Sequence, residues 1–208
     1  LPINQWIFNE FIETQILVTQ NIENFRFDEA ARYVYRFVWH SYCDWYLEFL
    51  KPIFNSKNKL DIEESKNFSA FMLANILKML HPFIPFFTET VWGKNKFDTF
   101  FKSDLILAEW PEYKRLKGFN QSQENITNLI ELISNIRTTK AELNITPKLY
   151  CDIIFLDKSK KLKLLINQNI TLIKQVGRVN SLKPQKKYSK NTIEILVLKE
   201  KLGLKFNE

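Results

Sequence analysis

From Asn4 to Trp92 the apolar residues recur at three- and four-residue steps, and the breaks between runs fall at prolines and polar clusters. Such a chain has to fold as several amphipathic helices that cover one another's apolar stripes. Trp6, Ile7, Phe11, Ile12, Leu17 and Val18 define a first helix over 4–23. Asn24-Phe25-Arg26-Phe27 breaks the pattern, and Asp28 is placed to cap a second helix. That helix is expected to run to Lys51, where Pro52 ends or kinks it, with a stripe of Ala30, Val34, Phe37, Val38, Ser41, Trp45 and Phe49. After a polar loop over 55–63, Phe68, Phe71, Met72, Ile76, Met79 and Leu80 mark a third helix. Pro82 and Pro85 interrupt it, and Pro85 suits the first turn of a short fourth helix through Trp92. Four such helices imply an antiparallel bundle.

The pattern then changes. Residues 93–120 read as an irregular return segment, with 106–111 extended against the bundle. A helix follows over 121–143, stopped by Pro147. Tyr150 to Leu156 reads as a strand, 160–176 as a helix breaking near 167–169, and 179–182 and 192–198 as further strands. Residues 183–191 read as a Lys-rich hairpin connection. The fold class is therefore mainly α: an antiparallel helical bundle followed by a small α+β module. The expected organisation is a bundle over 1–116, a connecting helix over 117–147 and a small basic module over 148–208.

Composition narrows the function. Four glycines in 208 residues argue against a Gly-rich phosphate loop, because close backbone approach to phosphate needs residues without a side chain. Walker, dinucleotide-binding and nucleophile-elbow motifs are absent. Cys43 and Cys151 lack metal-ligand spacing and stand far apart, so zinc and a disulfide framework are not expected and a reducing cytoplasm is. There is no run of about eighteen apolar residues to span a membrane. The start Leu1-Pro2-Ile3-Asn4 has neither a signal-peptide pattern nor an initiator Met, which is expected of a piece of a longer protein. The net charge of +7 is unevenly placed, −2 over 1–144 and +9 over 145–208. Clustered cations gain affinity for a polyanion by releasing its counterions.

Several groups are candidates for that contact. Arg32, Arg36, His40, Asp44 and Glu48 follow at four-residue steps and form one drifting polar stripe on the second helix. It reads either as a solvated face or as an RNA-facing one, with arginines for phosphate or base edges and carboxylates for exocyclic amines. His40 and Glu48 are two turns apart, too far to share one metal ion. Phe25 and Arg26 stand at the first corner, where an exposed ring or guanidinium can stack a base, and Phe27 reads as a hydrophobic staple. Trp39, Trp45, Trp92 and Trp110 read as core. His81 is expected to be satisfied by a nearby carbonyl. Arg137 and Lys140, near a helix C-terminus, and Lys183, Lys186 and Lys187 in the basic hairpin complete the candidate contacts to a polyanion.

Three stretches carry a resemblance. Cys43-Asp44-Trp45-Tyr46-Leu47-Glu48, then His81-Pro82-Phe83-Ile84-Pro85-Phe86 with Thr88, Glu89 and Trp92, then Asn135-Ile136-Arg137 with Glu142-Leu143-Asn144 and Pro147, resemble the anticodon-binding region of class I aminoacyl-tRNA synthetases of the valyl type. The resemblance is good over about 4–150 and looser beyond. It implies a parent that activates valine with ATP and Mg and transfers it to the 3′ end of its tRNA. The HIGH and KMSKS motifs of that chemistry are not in this sequence. It thus implies an RNA-binding part, inactive alone and with no cofactor of its own, whose partners are a valine tRNA and the catalytic domain of the same polypeptide. Leu198 to Lys205 shows no heptads for the coiled coil that ends many valyl enzymes. An isoleucyl-type domain, or a docking bundle with nonspecific RNA contact, are the alternatives.

Overall fold

Pro2 opens helix α1 (Pro2–Glu23), where its missing N–H leaves no bond unmade. The computed structural model describes residues 1–115, 120–156, 160–185, 188 and 192–206, which fall into two units, Leu1–Gln123 and Glu124–Glu208.

In the first unit α1 is followed by one long helical rod: α2 (Phe27–Arg36), a π-helical stretch (Phe37–Tyr46) and α3 (Leu47–Phe54). Two expectations are corrected here. Asp28 does not cap α2; Arg26 holds the cap position without a side-chain bond, and Asp28 and Glu29 sit in the first turn, where carboxylates suit the helix dipole. Pro52 lies inside α3 rather than at its end. The wide turns also move the buried stripe. Ala30, Val34 and Phe37 are buried as expected, but the next buried positions are Tyr42 and Tyr46, then Phe49 and Leu50, with Ser41 and Trp45 only half-buried. The jump from Phe37 to Tyr42 is the five-residue step of a π-helix.

Helix α4 (Lys59–Leu80) begins nine residues before Phe68, because the Asn58 side chain accepts bonds from the amides of Leu60 and Asp61 and starts it in polar sequence. Pro85 opens α5 (Pro85–Lys94). The return segment includes a short α6 (Phe97–Phe101) and a 3-10 turn (Leu105–Leu107). The break between α4 and α5 is clasped by polar bonds. His81 Nδ1 lies 2.8 Å from Thr88 Oγ1, so its partner is a hydroxyl rather than a carbonyl. Glu89 accepts from the amides of Leu105 and Ile106, and the Trp92 indole donates to the Ser103 carbonyl. Trp92, Ala74, Leu77 and Leu105 form the core there. Residues 108–115 then cross back over α1. The Trp110 indole donates to Thr19, and Tyr113 packs edge-on to Phe8, Phe11 and Phe71 while its hydroxyl donates to Asn75.

The second unit takes most of α7 (Asn120–Glu142), the helix expected as a connector, and buries its Ile126, Leu129, Leu132, Ile133 and Ile136. Four strands follow in the order β2-β1-β4-β3: β1 (Cys151–Leu156), β2 (Val179–Gln185), β3 (Ile193–Val197) and β4 (Glu200–Phe206). Helix α8 (Lys160–Val176) makes the crossover between the parallel pair β1 and β2, and the other pairings are antiparallel. Strand β4 is missing from the sequence reading. Its hairpin turn is Leu198-Lys199, both at positive φ, in place of the Asn-Gly or Asp-Gly pairs that usually announce such a turn.

Helix α7 ends with Asn144 at positive φ, the Ile145 amide on the Lys140 carbonyl and the Asn144 amide on the Ala141 carbonyl. Lys140 itself is buried, and its ammonium donates to the Leu149 carbonyl at 2.7 Å. Burial, reinforced by the repulsion of Arg178 and Arg137 and opposed by Cys151, holds it below its ordinary 10.5. Between that lowered value and 10.5 the unfolded chain binds more protons than the folded one, so the folded state gains stability as pH rises through the window. Urea unfolding between pH 8 and 10 is expected to show the wild type gaining on Lys140→Met as pH increases. A constant difference would show that the buried ammonium does not set the dependence.

Candidate nucleic-acid interface

The site begins at the corner between α1 and α2. The Phe25 amide bonds the Ile22 carbonyl and the Arg26 amide bonds the Asn21 carbonyl, an α-helix ending that needs its middle residue in the left-handed region. That residue is ordinarily glycine; here it is Phe25, at φ 57°. The ring gains almost nothing from the fold, being 81% exposed, with only the edge of Phe27 beside it at 6.2 Å. A side chain that strains its own backbone and stands in solvent marks a functional position better than a packing one. Arg26 next to it is exposed, 3.9 Å from Glu29.

Phe27 is not a staple. It is the first residue of α2, 54% exposed, and it forms one wall of an apolar groove of about 450 Å³. Ile22, Pro82, Phe83 and Trp110 supply the other apolar walls, and Glu23 and Glu112 supply carboxylates. Apolar and aromatic walls of this kind can stack a flat ring, and the carboxylates can accept from an exocyclic amine.

Further along the rod, Arg32, Arg36, His40 and Asp44 are all exposed, as the four-residue spacing predicts. The π-helical turns keep this stripe straight. Four residues overshoot one turn of an α-helix and fall short of one turn of a π-helix, so the drift gained through α2 is undone by Asp44. Arg32 is bonded to Glu29, and His40 Nδ1 lies 3.4 Å from Asp44 Oδ2. Among the described residues Arg36 has no ion-pair partner.

Trp39 corrects the reading of the tryptophans as core. It is 53% exposed and lies parallel to Tyr35, itself 59% exposed, with ring centres 6.3 Å apart and planes within 3°. The His40 ring meets Tyr35 edge-on at 6.5 Å. This aromatic pair runs beside the polar stripe one residue out of phase. The repeated pairs Tyr35-Arg36 and Trp39-His40 are the signal that would have located it. The groove had no such signal, because its walls come from segments about ninety residues apart.

In the second unit Arg137 is exposed near the end of α7 and Lys183 is exposed on the edge strand β2. Lys140, buried on its carbonyl, offers no surface cation, which corrects its reading as a tRNA contact. Lys186 and Lys187 lie outside the described residues. Among the described residues no group of three or more His, Cys, Asp or Glu is arranged to hold a metal, and no helix is long and apolar enough to cross a membrane.

Exposed aromatics interleaved with cations on a helical bundle make a surface of the kind that can stack unpaired bases and meet phosphate. The chain belongs to the family of anticodon-binding domains of tRNA ligases, whose pattern it matches over residues 4–155. Within that family it is similar to valine–tRNA ligases. It is 39% identical over 210 residues to the valine–tRNA ligase of Pelagibacter ubique, covering 100% of this chain and 23% of the relative. It is 34% identical to that of Agrobacterium fabrum over 95% of this chain and 21% of the relative, and 40% identical to that of Zymomonas mobilis over 72% and 17%. The isoleucyl and docking alternatives are not favoured. The chain spans about a fifth of the length of these relatives.

The corner gives the sharpest test of function against stability. Phe25→Gly is expected to raise stability in urea unfolding by about 1 kcal/mol, because the left-handed position then carries no side-chain strain. The same change is expected to weaken binding of an RNA stem-loop. Loss of both stability and binding would place Phe25 among the packing residues instead.

Proposed function

We propose that this chain reads the anticodon of a valine tRNA on behalf of a larger valine–tRNA ligase. The observation that carries the reading is the exposed Tyr35–Trp39 stack lying beside Arg32, Arg36, His40 and Asp44. Unstacked bases are recognised by rings that stack them and by polar groups that meet their edges. The two fixed bases of a valine anticodon, adenine and cytosine, each carry an exocyclic amine. Asp44 on the stripe and Glu23 and Glu112 in the groove are acceptors suited to such amines. Phe25, edge-on to the groove residue Phe27, and the exposed Arg26 add stacking surface in this reading.

Activation of valine with ATP and Mg, and its transfer to tRNA in the cytoplasm, belong in this reading to the rest of the polypeptide. The catalytic domain is the expected intramolecular partner. A surface suited to it is the apolar end of the bundle, where Phe86, Phe87, Ile106 and Leu107 stand exposed.

The test compares an RNA stem-loop bearing the valine anticodon with one whose last anticodon base is uracil, which has no exocyclic amine. Fluorescence anisotropy is expected to show a preference for the cytosine loop of roughly ten-fold, within the 1–3 kcal/mol of a specific base contact. Trp39→Ala is expected to weaken both loops by a similar factor through lost stacking. Equal affinity of the unaltered protein for the two loops would end the base-reading proposal.

A further inference from the structure

Between Asp157 and Glu194 the chain holds ten Lys and Arg residues and no carboxylate. Helix α8 lies wholly inside this stretch. Its Leu162, Leu165, Ile166, Asn169 and Ile173 are buried, and Asn169 ties it down by donating to Asn125 of α7 and to the Leu165 carbonyl. On the opposite side, at steps of three, four, four and three, stand Lys160, Lys163, Asn167, Thr171 and Lys174, all exposed. Asn169 has non-helical backbone angles (φ -125°, ψ 22°) and kinks α8, so Lys160, Lys163 and Asn167 stand on the segment before the kink and Thr171 and Lys174 on the segment after it, in the order two cations, two neutral hydrogen-bonding side chains, one cation. Arg178, exposed, follows just past the end of the helix. Among the described residues no carboxylate is paired with any of the three lysines.

The arrangement does not serve the helix itself. Lys160 and Lys163 repel each other one turn apart and sit at the end where the helix dipole disfavours cations. The stripe is instead complementary to a polyanion that offers charge at two places with hydroxyls between them. Lys163 and Lys174 are eleven residues apart, on opposite sides of the kink at Asn169. An A-form RNA duplex presents a wide, shallow minor groove with phosphates on both sides and 2′-hydroxyls across its floor. The B-DNA minor groove, about 6 Å wide, cannot admit a helix of about 10 Å diameter, and DNA has no 2′-hydroxyl.

We propose that α8 lies across the minor groove of a double-helical stem of the bound tRNA. Lys160 and Lys163 contact the phosphates of one strand and Lys174 those of the other. Asn167 and Thr171 meet the 2′-hydroxyls between. The proposal rests on the reading of this chain as a tRNA-binding region, since that reading makes the polyanion an RNA. It adds a contact that carries affinity and no anticodon information, in the unit that bears the positive charge.

The experiment uses the full chain, a 20-base-pair RNA duplex without loops and the DNA duplex of the same sequence. The RNA duplex is expected to bind more tightly than the DNA. The triple variant K160Q/K163Q/K174Q is expected to make the slope of log affinity against log salt shallower by about 2 to 3, at about 0.9 per phosphate contact. The triple Lys→Arg variant is expected to keep the slope, which separates lost charge from lost folding. Asn167→Ala with Thr171→Val is expected to remove the RNA-over-DNA preference while leaving the slope alone. Equal binding of the two duplexes by the unaltered protein, or an unchanged slope in the glutamine variant, overturns the proposal. Discrimination between cytosine and uracil stem-loops should survive in all three variants. If the unaltered protein shows none, anticodon reading fails while the α8 contact stands or falls on its own slopes.

Discussion

The first unit is held closed by one tyrosine. Tyr113 sits at the end of the returning segment and inserts its ring among Phe8, Phe11 and Phe71, which come from α1 and α4. Its hydroxyl meets Asn75 and its amide meets Gln15, so the strap is fixed both by apolar burial and by two polar bonds. Hydrophobic contact alone would let the strap slide along the bundle; the polar bonds give it a register. That register carries Trp110, three residues earlier, to Thr19 and makes its ring a wall of the groove. The groove at the corner is therefore a by-product of how the bundle is closed.

In the proposed reading the two units divide the work of binding by charge. The helical unit has little net charge of its own and offers rings, a polar stripe and carboxylates, groups suited to discriminating between bases more than to attracting RNA. The unit around the four-stranded sheet carries the positive excess, which in that reading would attract RNA without discriminating. Separating the two has a physical advantage, because strong cations beside a base-reading surface would hold any loop, cognate or not. In the same reading the acidic groups of the groove, Glu23 and Glu112, are acceptors for base amines, with attraction supplied elsewhere.

Much of this was legible in the chain. The helical period located α1 and α5 and the exposed stripe, and Pro85 marked a true helix start. The polar positions held because solvent-facing residues tolerate changes in helical pitch. The buried positions did not. Ser41 and Trp45 fit the stripe of a regular α-helix, while Tyr42 and Tyr46 are the residues inside, because nothing in the sequence announced π-helical turns. Trp39 was misplaced because a large ring is usually core, although it lies off the stripe of a regular helix. Strand β4 escaped because Leu198-Lys199 makes a tight hairpin turn without the residues that favour one. Lys140 looked like a surface cation from its position near a helix end, and only tertiary packing turns it inward.

The π-helical stretch has a further consequence, for the lengths the chain will accept. Core and recognition residues alternate along the same rod, so they share one rotational phase. Removing a single residue between Phe37 and Tyr42 would turn that five-residue step into the four-residue step of an α-helix, and the tighter winding would keep Tyr42, Tyr46 and Phe49 in the core phase. The wide turns thus act as one extra residue that the rod absorbs without losing its buried face. A deletion in the α-helical parts of the rod, where no wide turn can take it up, would instead rotate everything after it by about 100°.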